Sequence, residues 1–296
     1  MEGILMSSIN QVTVLGTGIL GAQIIFQTAF KGFHVTTYDI SDDLITQAKQ
    51  SFSHLAEVYL KELPGTTRTA TQATLDRIST TSDLSQACKE ADLIIETAPE
   101  IIELKQKLYA QIASLAPEHA ILATNSSTLL PSTLAPSTGR QDRFIALHFA
   151  NTIWIHNTAE IMGTDQTSRQ TKDKVIEFAK NIGMVPIVLN KEKSGYVLNS
   201  LLIPLLNAAG FLVSEGYADP ETVDKTWKIA TDSPLGPFEI YDVVGLKTAY
   251  NIIATAGKAG DEKSARLSQY IKENYLDKGK FGIASGEGFY KYPRQS

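Results

Sequence analysis

A glycine-rich turn near the start of the chain constrains its fold more than any other feature. Residues 12–22 read VTVLGTGILGA, an apolar run that gives way to Gly16, Gly18 and Gly21. The run before the glycines resembles a buried strand, and the residues after them, AQIIFQTAFKG, predict a helix. A strand that passes into a helix through this spacing is typical of a dinucleotide-binding unit, although a bare structural turn remains the alternative.

Each glycine has its own physical task in this interpretation. Gly16 permits a tight turn, Gly18 lets a pyrophosphate approach the backbone, and Gly21 lets the helix pack close to the strand. The start of the helix, which includes Ile19 and Leu20, then faces the phosphates with its partial positive charge. We therefore expect these five residues to bind a cofactor.

The second predicted strand supplies the acidic residue that completes this fingerprint. It ends in Asp39, about 20 residues beyond the turn, where a carboxylate accepts hydrogen bonds from the adenosine ribose. The next residues, ISDD, include no arginine to hold a 2′-phosphate and would repel one. We therefore expect NAD rather than NADP, with FAD as the alternative because it shares the fingerprint.

Strand-like and helix-like patterns alternate over the first two-thirds of the chain. The segments HVTTYD, DLIIET, AILATN, RFIALHF and MVPIVLN predict buried strands, and ELKQKLYAQIASLA and QTKDKVIEFAKNIG have helical spacing. This alternation predicts an α/β Rossmann-type domain with a doubly wound sheet over residues 1–192. A long helical stretch after the second strand predicts a helical arm near residues 42–77.

The pattern changes after about Lys193, where four helical segments follow one another with glycines and prolines at their ends. They are SGYVLNSLLIPLLNAAGFLVSEG, DPETVDKTWKIAT, GPFEIYDVVGLKTAYNIIATAG and DEKSARLSQYIKENYLDKG. They predict an all-helical C-terminal domain over residues 193–296, for substrate binding and dimerisation. One segment, SLLIPLLNAAGFLV, is more apolar than a one-sided surface helix requires. We expect it to contact a second copy of the chain in a homodimer.

Composition narrows the classes of function. A net charge of −5 argues against nucleic acid or an anionic membrane as a partner. Cys88 is the only cysteine, so we expect neither a disulfide framework nor a cysteine-based metal site, and we expect no metal ligands. No stretch approaches the roughly 18 apolar residues of a membrane span, and MEGILMSSINQ lacks the features of a secretory signal. We therefore expect a cytoplasmic protein.

His148 and Glu160 are the candidate catalytic pair. His148 follows the strand-like RFIAL, and Glu160 lies in the next strand-like run, TAEIMG. If the two strands are neighbours, the carboxylate would orient the imidazole and stabilise its protonated form, as general acid–base chemistry requires. The alternatives are a hydrogen-bonded core histidine and a surface charge on an edge strand.

Distinctive motifs occur along nearly the whole chain, in the order GTGILG, ETAPE, ATNSST, ALHFAN, the run around Glu160, SGYVLNSLL, DSPLGPFEIYDVVGL and GEGFYKYP. Together they resemble the motifs of the L-3-hydroxyacyl-CoA dehydrogenase family. The resemblance implies an NAD-dependent enzyme that moves a hydride between carbon 3 of a 3-hydroxyacyl thioester and the nicotinamide. It implies an acyl-CoA substrate, for which we expect a short chain.

The same resemblance implies roles for individual residues. His148 matches the general acid/base of the family and Glu160 its partner carboxylate. Ser127 and Asn199 match the polar residues that hold the C3 oxygen and the thioester region of the substrate. Neutral donors suit that position, because negative charge develops on the C3 oxygen.

Three further residues match positions on the cofactor side of the family site, namely Glu100, Lys105 and Asn151. Simpler explanations exist for several of the matched residues. Ser127 could be a loop hydroxyl or a helix cap, Asn199 a buried helix amide, and Lys105 a solvated charge on a helix.

The chain departs from the family pattern where the departures bear on the substrate. The usual HFFNP appears as HFANT, with Ala150 and Thr152, the Glu160 strand begins IHNTAE, and Ser200 stands where arginine is common. The predicted arm offers CoA only Lys61, with Lys49 upstream. Sequence drift around an unchanged activity would explain these changes, and so would a free hydroxy acid as the substrate. Of the two, we expect the CoA thioester to be the substrate. A non-catalytic NAD-binding protein is the alternative from another class.

Overall fold

The computed structural model describes residues 9–292 and divides the chain into two compact units. The first unit ends at Val197 and the second begins at Leu198. The sequence placed the domain boundary after residue 192. The two positions differ because Tyr196, which the sequence pattern joined to the following helix, is buried within the first unit.

The first unit is built on one eight-stranded sheet with the order β3-β2-β1-β4-β5-β6-β7-β8. The first six strands are parallel, β7 runs antiparallel to β6, and β8 is parallel to β7. The strands are β1 Gln11–Leu15, β2 His34–Tyr38, β3 Ile78–Thr81, β4 Leu93–Glu96, β5 Ile121–Thr124, β6 Phe144–Phe149, β7 Thr158–Met162 and β8 Val185–Val188. The predicted doubly wound fold class is confirmed.

Seven helices accompany this sheet in the described part of the first unit. They are α1 Ile19–Phe30, α2 Asp42–Glu62, α3 Arg68–Leu75, α4 Leu84–Cys88, α5 Ile102–Leu115, α6 Pro131–Leu134 and α7 Arg169–Asn181. The central strands are buried on both faces, which is why their sequences are almost continuously apolar. One core lies between the sheet and α1, α2 and α7, and a second lies between the sheet and α4, α5 and α6.

The segment predicted as a helical arm forms α2 and α3, and its inner face belongs to the core. Phe52 and Tyr59 are almost completely buried there. The Tyr59 hydroxyl donates to Gln27 Oε1 at 2.6 Å, and Gln27 Nε2 donates to the Ile182 carbonyl, also at 2.6 Å. These bonds hold α2 against α1 and the end of α7, so the segment packs along the domain.

The second unit is helical, as the sequence predicts. Its helices are α8 Leu198–Ser214, α9 Pro220–Thr231, α10 Pro237–Val244, α11 Leu246–Lys258 and α12 Glu262–Asn274. The sequence interpretation treated GPFEIYDVVGLKTAYNIIATAG as one helix, and that was wrong. The chain breaks at Gly245, whose φ of 89° a helix interior cannot hold.

The C-terminal segment of the second unit returns to α10 through a buried carboxylate. Asp242 Oδ1 accepts from the Phe289 N–H at 2.8 Å, and Oδ2 accepts from the Tyr290 N–H and the Tyr292 hydroxyl. Burial raises the pKa of Asp242 against these hydrogen bonds. Within residues 9–292, none of the helices combines the length and the apolar character that crossing a membrane requires.

Candidate active site

The glycine turn lies between β1 and α1, and its shape requires two of its three glycines. Gly16 has a φ of 105°, and a Cβ there would lie 2.7 Å from Thr97 Oγ1. A Cβ on Gly21 would lie 2.3 Å from the Gly16 carbonyl oxygen. Thr97 Oγ1 also donates to the carbonyls of Leu15 and Gly16, so the start of the loop after β4 supports the turn.

Gly18 differs from the other two glycines because a Cβ there would meet nothing within 4 Å. It caps α1, a helix without acidic residues in its first turn, and Ile19 beside it is 82% exposed while Leu20 is half-buried. An open helix N-terminus with room beside a glycine suits a pyrophosphate. The structure therefore fits the phosphates of a dinucleotide at this turn.

Asp39 lies at the end of β2, next to the same turn. Its Oδ2 accepts from the Thr17 N–H at 2.8 Å and from the Thr17 hydroxyl at 2.5 Å, and its Oδ1 accepts from the Ile40 N–H. The carboxylate is thus fixed beside the phosphate turn, where an adenosine ribose would lie. These residues fit NAD, and together they would hold its adenosine half.

A buried polar cluster lies at the ends of β4 and β5. Lys105 Nζ lies 2.5 Å from Glu96 Oε1 and donates to the Ala98 carbonyl at 2.9 Å. Glu96 Oε2 accepts from the hydroxyls of Tyr109 and Thr124. Lys105 is 1% exposed, so the alternative of a solvated helix charge is wrong. A charge this deep requires a partner, which Glu96 supplies.

Glu100 joins this cluster to the loop after β5. Its Oε1 accepts from the Ser126 hydroxyl at 2.5 Å and from the N–H and hydroxyl of Thr128, and its Oε2 lies 3.5 Å from Lys105 Nζ. Burial by itself would raise the pKa of Glu100, but the hydrogen bonds from Ser126 and Thr128 and the charge of Lys105 lower it. The ionised carboxylate therefore holds the loop that carries Ser127.

Strands β6 and β7 place His148 directly opposite Glu160 in the antiparallel register. Both side chains are buried, with exposed fractions of 5% and 3%. His148 Nδ1 lies 3.0 Å from Glu160 Oε2, and His148 Nε2 lies 3.1 Å from Ser127 Oγ. Glu160 Oε1 accepts from the Val197 N–H at 2.9 Å. Glu160 is therefore not a surface charge on an edge strand, and His148 is a buried histidine with a hydrogen-bonding partner at each ring nitrogen.

The two predicted asparagines lie at separate places. Asn151 is exposed and follows β6, next to Thr152, which has a φ of 62° and donates its N–H to Gln23 Oε1 at 2.7 Å. Asn199 is half-buried and lies in the first turn of α8, in the second unit. The structure thus brings Ser127, His148 and Glu160 together within the first unit.

Sequence reasoning missed Tyr196, whose ring stacks on the His148 imidazole with 4.5 Å between centroids and an interplanar angle of 11°. It also missed Glu96 and Thr97, which support the cofactor side of the site. All three lie within motifs that carry the family resemblance, Glu96 and Thr97 in ETAPE and Tyr196 in SGYVLNSLL. The available signal for Glu96 was a glutamate at the end of the apolar strand-like run DLIIET, because a charged residue is rarely buried unless it is paired.

These features define an NAD-binding oxidoreductase of the doubly wound α/β class. Comparison with known proteins identifies its family. Residues 11–193 match the family described as 3-hydroxyacyl-CoA dehydrogenase, NAD binding domain, and residues 195–292 match 3-hydroxyacyl-CoA dehydrogenase, C-terminal domain. The chain belongs to the 3-hydroxyacyl-CoA dehydrogenase family. The predicted family, the enzyme class and NAD as cofactor are confirmed.

Three similar proteins span nearly the whole chain. Mitochondrial hydroxyacyl-coenzyme A dehydrogenase from Sus scrofa is 33% identical over 96% of this chain and 91% of its own length. The crystal structure of (S)-3-hydroxybutyryl-CoA dehydrogenase from Ralstonia eutropha is 31% identical, with a TM-score of 0.82 over 97% of this chain and 100% of that one. A diketoreductase structure, described for dual catalysis of dicarbonyl compounds, is 57% identical, with a TM-score of 0.93 over the same shares.

Proposed function

We propose that the protein oxidises a short-chain L-3-hydroxyacyl-CoA to the 3-oxoacyl-CoA with NAD, and catalyses the reverse reduction. The observation that carries this proposal is the line of contacts from Ser127 Oγ through the His148 imidazole to Glu160, at 3.1 and 3.0 Å. An imidazole with a carboxylate at Nδ1 and a hydroxyl at Nε2 suits proton removal from a secondary alcohol.

His148 is the general base in the oxidation direction. The Glu160 carboxylate requires a proton on Nδ1, so Nε2 is left as an acceptor for the C3 hydroxyl proton. Glu160 then stabilises the imidazolium that forms. In the reduction direction the imidazolium returns the proton to the C3 oxygen.

Ser127 and Asn199 are the proposed donors to the C3 oxygen and the thioester region. The Ser127 hydroxyl already lies within hydrogen-bond distance of His148 Nε2, so an oxygen bound beside Nε2 would be within its reach. Bound NAD supplies the hydride acceptor or donor for carbon 3. Glu100, Lys105 and Asn151 act on the cofactor side, where Lys105 works through Glu96 and Glu100.

A second candidate for the substrate is a small dicarbonyl compound without CoA. The 57% identity to a diketoreductase over 97% of this chain favours it. Helix α2 favours it too, because its lysines are Lys49 and Lys61, while Asp42, Asp43 and other acids surround them. CoA phosphates would meet little positive charge there. A free hydroxy acid remains the related alternative.

One spectrophotometric experiment separates these candidates. The rate of NADH consumption is measured with acetoacetyl-CoA, with acetoacetate and with ethyl acetoacetate, an ester that keeps both carbonyl groups but has no CoA. A kcat/KM that is highest for acetoacetyl-CoA, by about tenfold or more, supports the thioester, since that is about 1.4 kcal/mol of transition-state binding. A higher value for the ester supports the dicarbonyl candidate. No turnover of any of the three would contradict an enzyme of this kind.

We also propose that the protein forms a homodimer through its second unit. Helix α8 carries Leu201, which is 69% exposed, and Leu212, which is 45% exposed, and Ile229 on α9 is 71% exposed. Large apolar side chains at this density on one small helical unit favour a protein partner.

A further inference from the structure

A three-residue segment at the end of the first unit touches every member of the His148 site. The Gly195 N–H donates to the Ser127 carbonyl at 3.2 Å, and the Val197 N–H donates to Glu160 Oε1 at 2.9 Å. Tyr196 lies between them, with its ring on the imidazole of His148. We call residues 195–197 the clamp segment.

The side chain of Tyr196 contacts both His148 and the loop that carries Ser127. Its ring is nearly parallel to the imidazole of His148, at 11° and 4.5 Å between centroids. Its hydroxyl donates to the Ser126 carbonyl at 2.8 Å, one residue before Ser127. One side chain thus fixes both the plane of the imidazole and the loop that presents the facing hydroxyl. At 1% exposure, it has no room to move away from either partner.

The backbone of the clamp segment is strained at the tyrosine. Tyr196 has a φ of 51°, in the left-handed region that bulky residues rarely occupy, and Gly195 before it has a φ of 81°. Such a conformation costs about 1–3 kcal/mol and persists where surrounding contacts determine it. These two residues turn the chain so that the Val197 N–H faces Glu160. Residues held in this way cluster at functional sites.

We propose that Tyr196 is a positioning residue, which holds the His148 imidazole in the plane that joins Glu160 to Ser127. The imidazole can rotate about its Cβ–Cγ bond, and rotation would break the Nδ1 contact with Glu160 or turn Nε2 away from Ser127. The stacked ring blocks that rotation. A face-on aromatic ring also favours the positively charged imidazolium that the proposed proton transfer forms. The kinetic part of this inference rests on the proposed function, and the geometric part does not.

The test compares two substitutions at this position with matched substitutions elsewhere. Tyr196→Leu removes the ring, and Tyr196→Phe keeps the ring but removes the hydrogen bond to Ser126. Tyr59 is an equally buried tyrosine in the core of the same unit, whose hydroxyl also has a partner, Gln27. Tyr59→Leu and Tyr59→Phe therefore control for the loss of a buried ring and of a buried hydroxyl.

We expect Tyr196→Leu to lower kcat by about 10- to 100-fold, the usual effect of a misplaced catalytic group, with little change in KM. Tyr196→Phe should restore most of this loss. Tyr59→Leu should lower the melting temperature without lowering the kcat of the folded enzyme. Equal losses of kcat in the two leucine variants would overturn the inference, because they would show a general loss of structure.

A second measurement needs no substrate. Nitrogen-15 NMR of labelled protein reports the Nδ1 proton of His148, assigned among the five histidines by its absence in His148→Ala. We expect a sharp, strongly downfield Nδ1–H signal in the wild type and in Tyr196→Phe, and a broadened or lost signal in Tyr196→Leu. An unchanged signal in Tyr196→Leu would refute the positioning role. If the wild type turned over none of the tested substrates, the proposed function would fail, and this signal would still decide the inference.

Discussion

At the scale of single residues, one imidazole has three different neighbours. His148 meets a carboxylate at Nδ1, a hydroxyl at Nε2 and the ring of Tyr196 on its face. It is also 5% exposed, so water competes little with these contacts. Hydrogen bonds are stronger in such surroundings, and the side chains that they connect act as a unit.

The proposed acid–base pair should behave as a unit in mutant kinetics. His148→Ala should lower kcat by about 10²–10⁴-fold, the usual contribution of a positioned acid/base. Glu160→Gln should also be severely impaired, because it removes the negative charge and can stabilise the wrong tautomer. The double variant should lose far less than the product of the two single losses. Steady-state kinetics with the best substrate from the assay above measure all three.

The chain offers a matched surface pair as the control. His119 Nε2 lies 3.1 Å from Asp92 Oδ1, but the His119 side chain is 61% exposed. His119→Ala should leave kcat unchanged. If the losses at His148 and Glu160 multiplied cleanly, both residues would matter but not as a dyad, and a fully active His148→Ala would refute the mechanism.

At the scale of secondary-structure elements, the loops after β4 and β5 are joined to each other and together hold Ser127. Glu100 lies in the first loop and Ser126 to Thr128 in the second, and their hydrogen bonds join the two. Lys105 on α5 lies 3.5 Å from the other carboxylate oxygen of Glu100, Oε2. The position of Ser127 therefore depends on a charge that belongs to a different loop.

Glu100 should make the stability of the protein depend on acid pH. Its pKa is lowered in the folded state from its usual 4.5, so its contribution is present above that value and lost as pH falls through the lowered pKa. Glu100→Gln should lower the free energy of unfolding at pH 7 by about 1 kcal/mol, the order of a hydrogen bond to a charged group in a partly exposed site. Urea unfolding at a series of pH values measures the difference.

The gap between wild type and Glu100→Gln should close as pH falls below 4.5. Glu103→Gln, at an exposed glutamate in the first turn of α5, is the control and should change stability much less. A gap that stayed constant down to the acid transition would contradict the assignment of ionised Glu100 as the bond between the loops.

At the scale of the whole molecule, the two units differ in how they bury their apolar residues. The central strands of the sheet in the first unit are buried on both faces. The second unit encloses one core of ten buried residues and leaves several large apolar side chains exposed on α8 and α9. A small unit buries a smaller fraction of its surface than a large one, and these exposed side chains are available to a partner.

The proposed homodimer can be tested by changing that surface. Leu201→Glu should convert the dimer to a monomer, because it places a charge on the most exposed leucine of α8. Light scattering at micromolar concentration measures the mass. Val188→Glu on β8, where Val188 is 50% exposed, is the matched control in the first unit and should leave the mass unchanged. A monomeric mass for the wild type would contradict the dimer.

The sequence determined the features that depend on local patterns. Glycine spacing between a strand and a helix predicted the cofactor turn, because a side chain at the position of Gly16 or Gly21 would collide with neighbouring atoms. Alternating apolar runs predicted the sheet, since strands buried on both faces must be apolar throughout. Weaker patterns gave wrong predictions. Strand β3, ISTT, is polar and half-exposed at the sheet edge, and the sequence did not predict it. The break at Gly245 was predicted as continuous helix.

Only the tertiary structure decided what lies around each predicted residue. The sequence could name His148 and Glu160, but the register of two antiparallel strands places one opposite the other. It could not show that Lys105 is buried against Glu96, or that Tyr196 stacks on the imidazole. Local patterns specify secondary structure through neighbouring residues, whereas these contacts join residues on different strands, helices and loops, and the packing of those elements decides which residues meet.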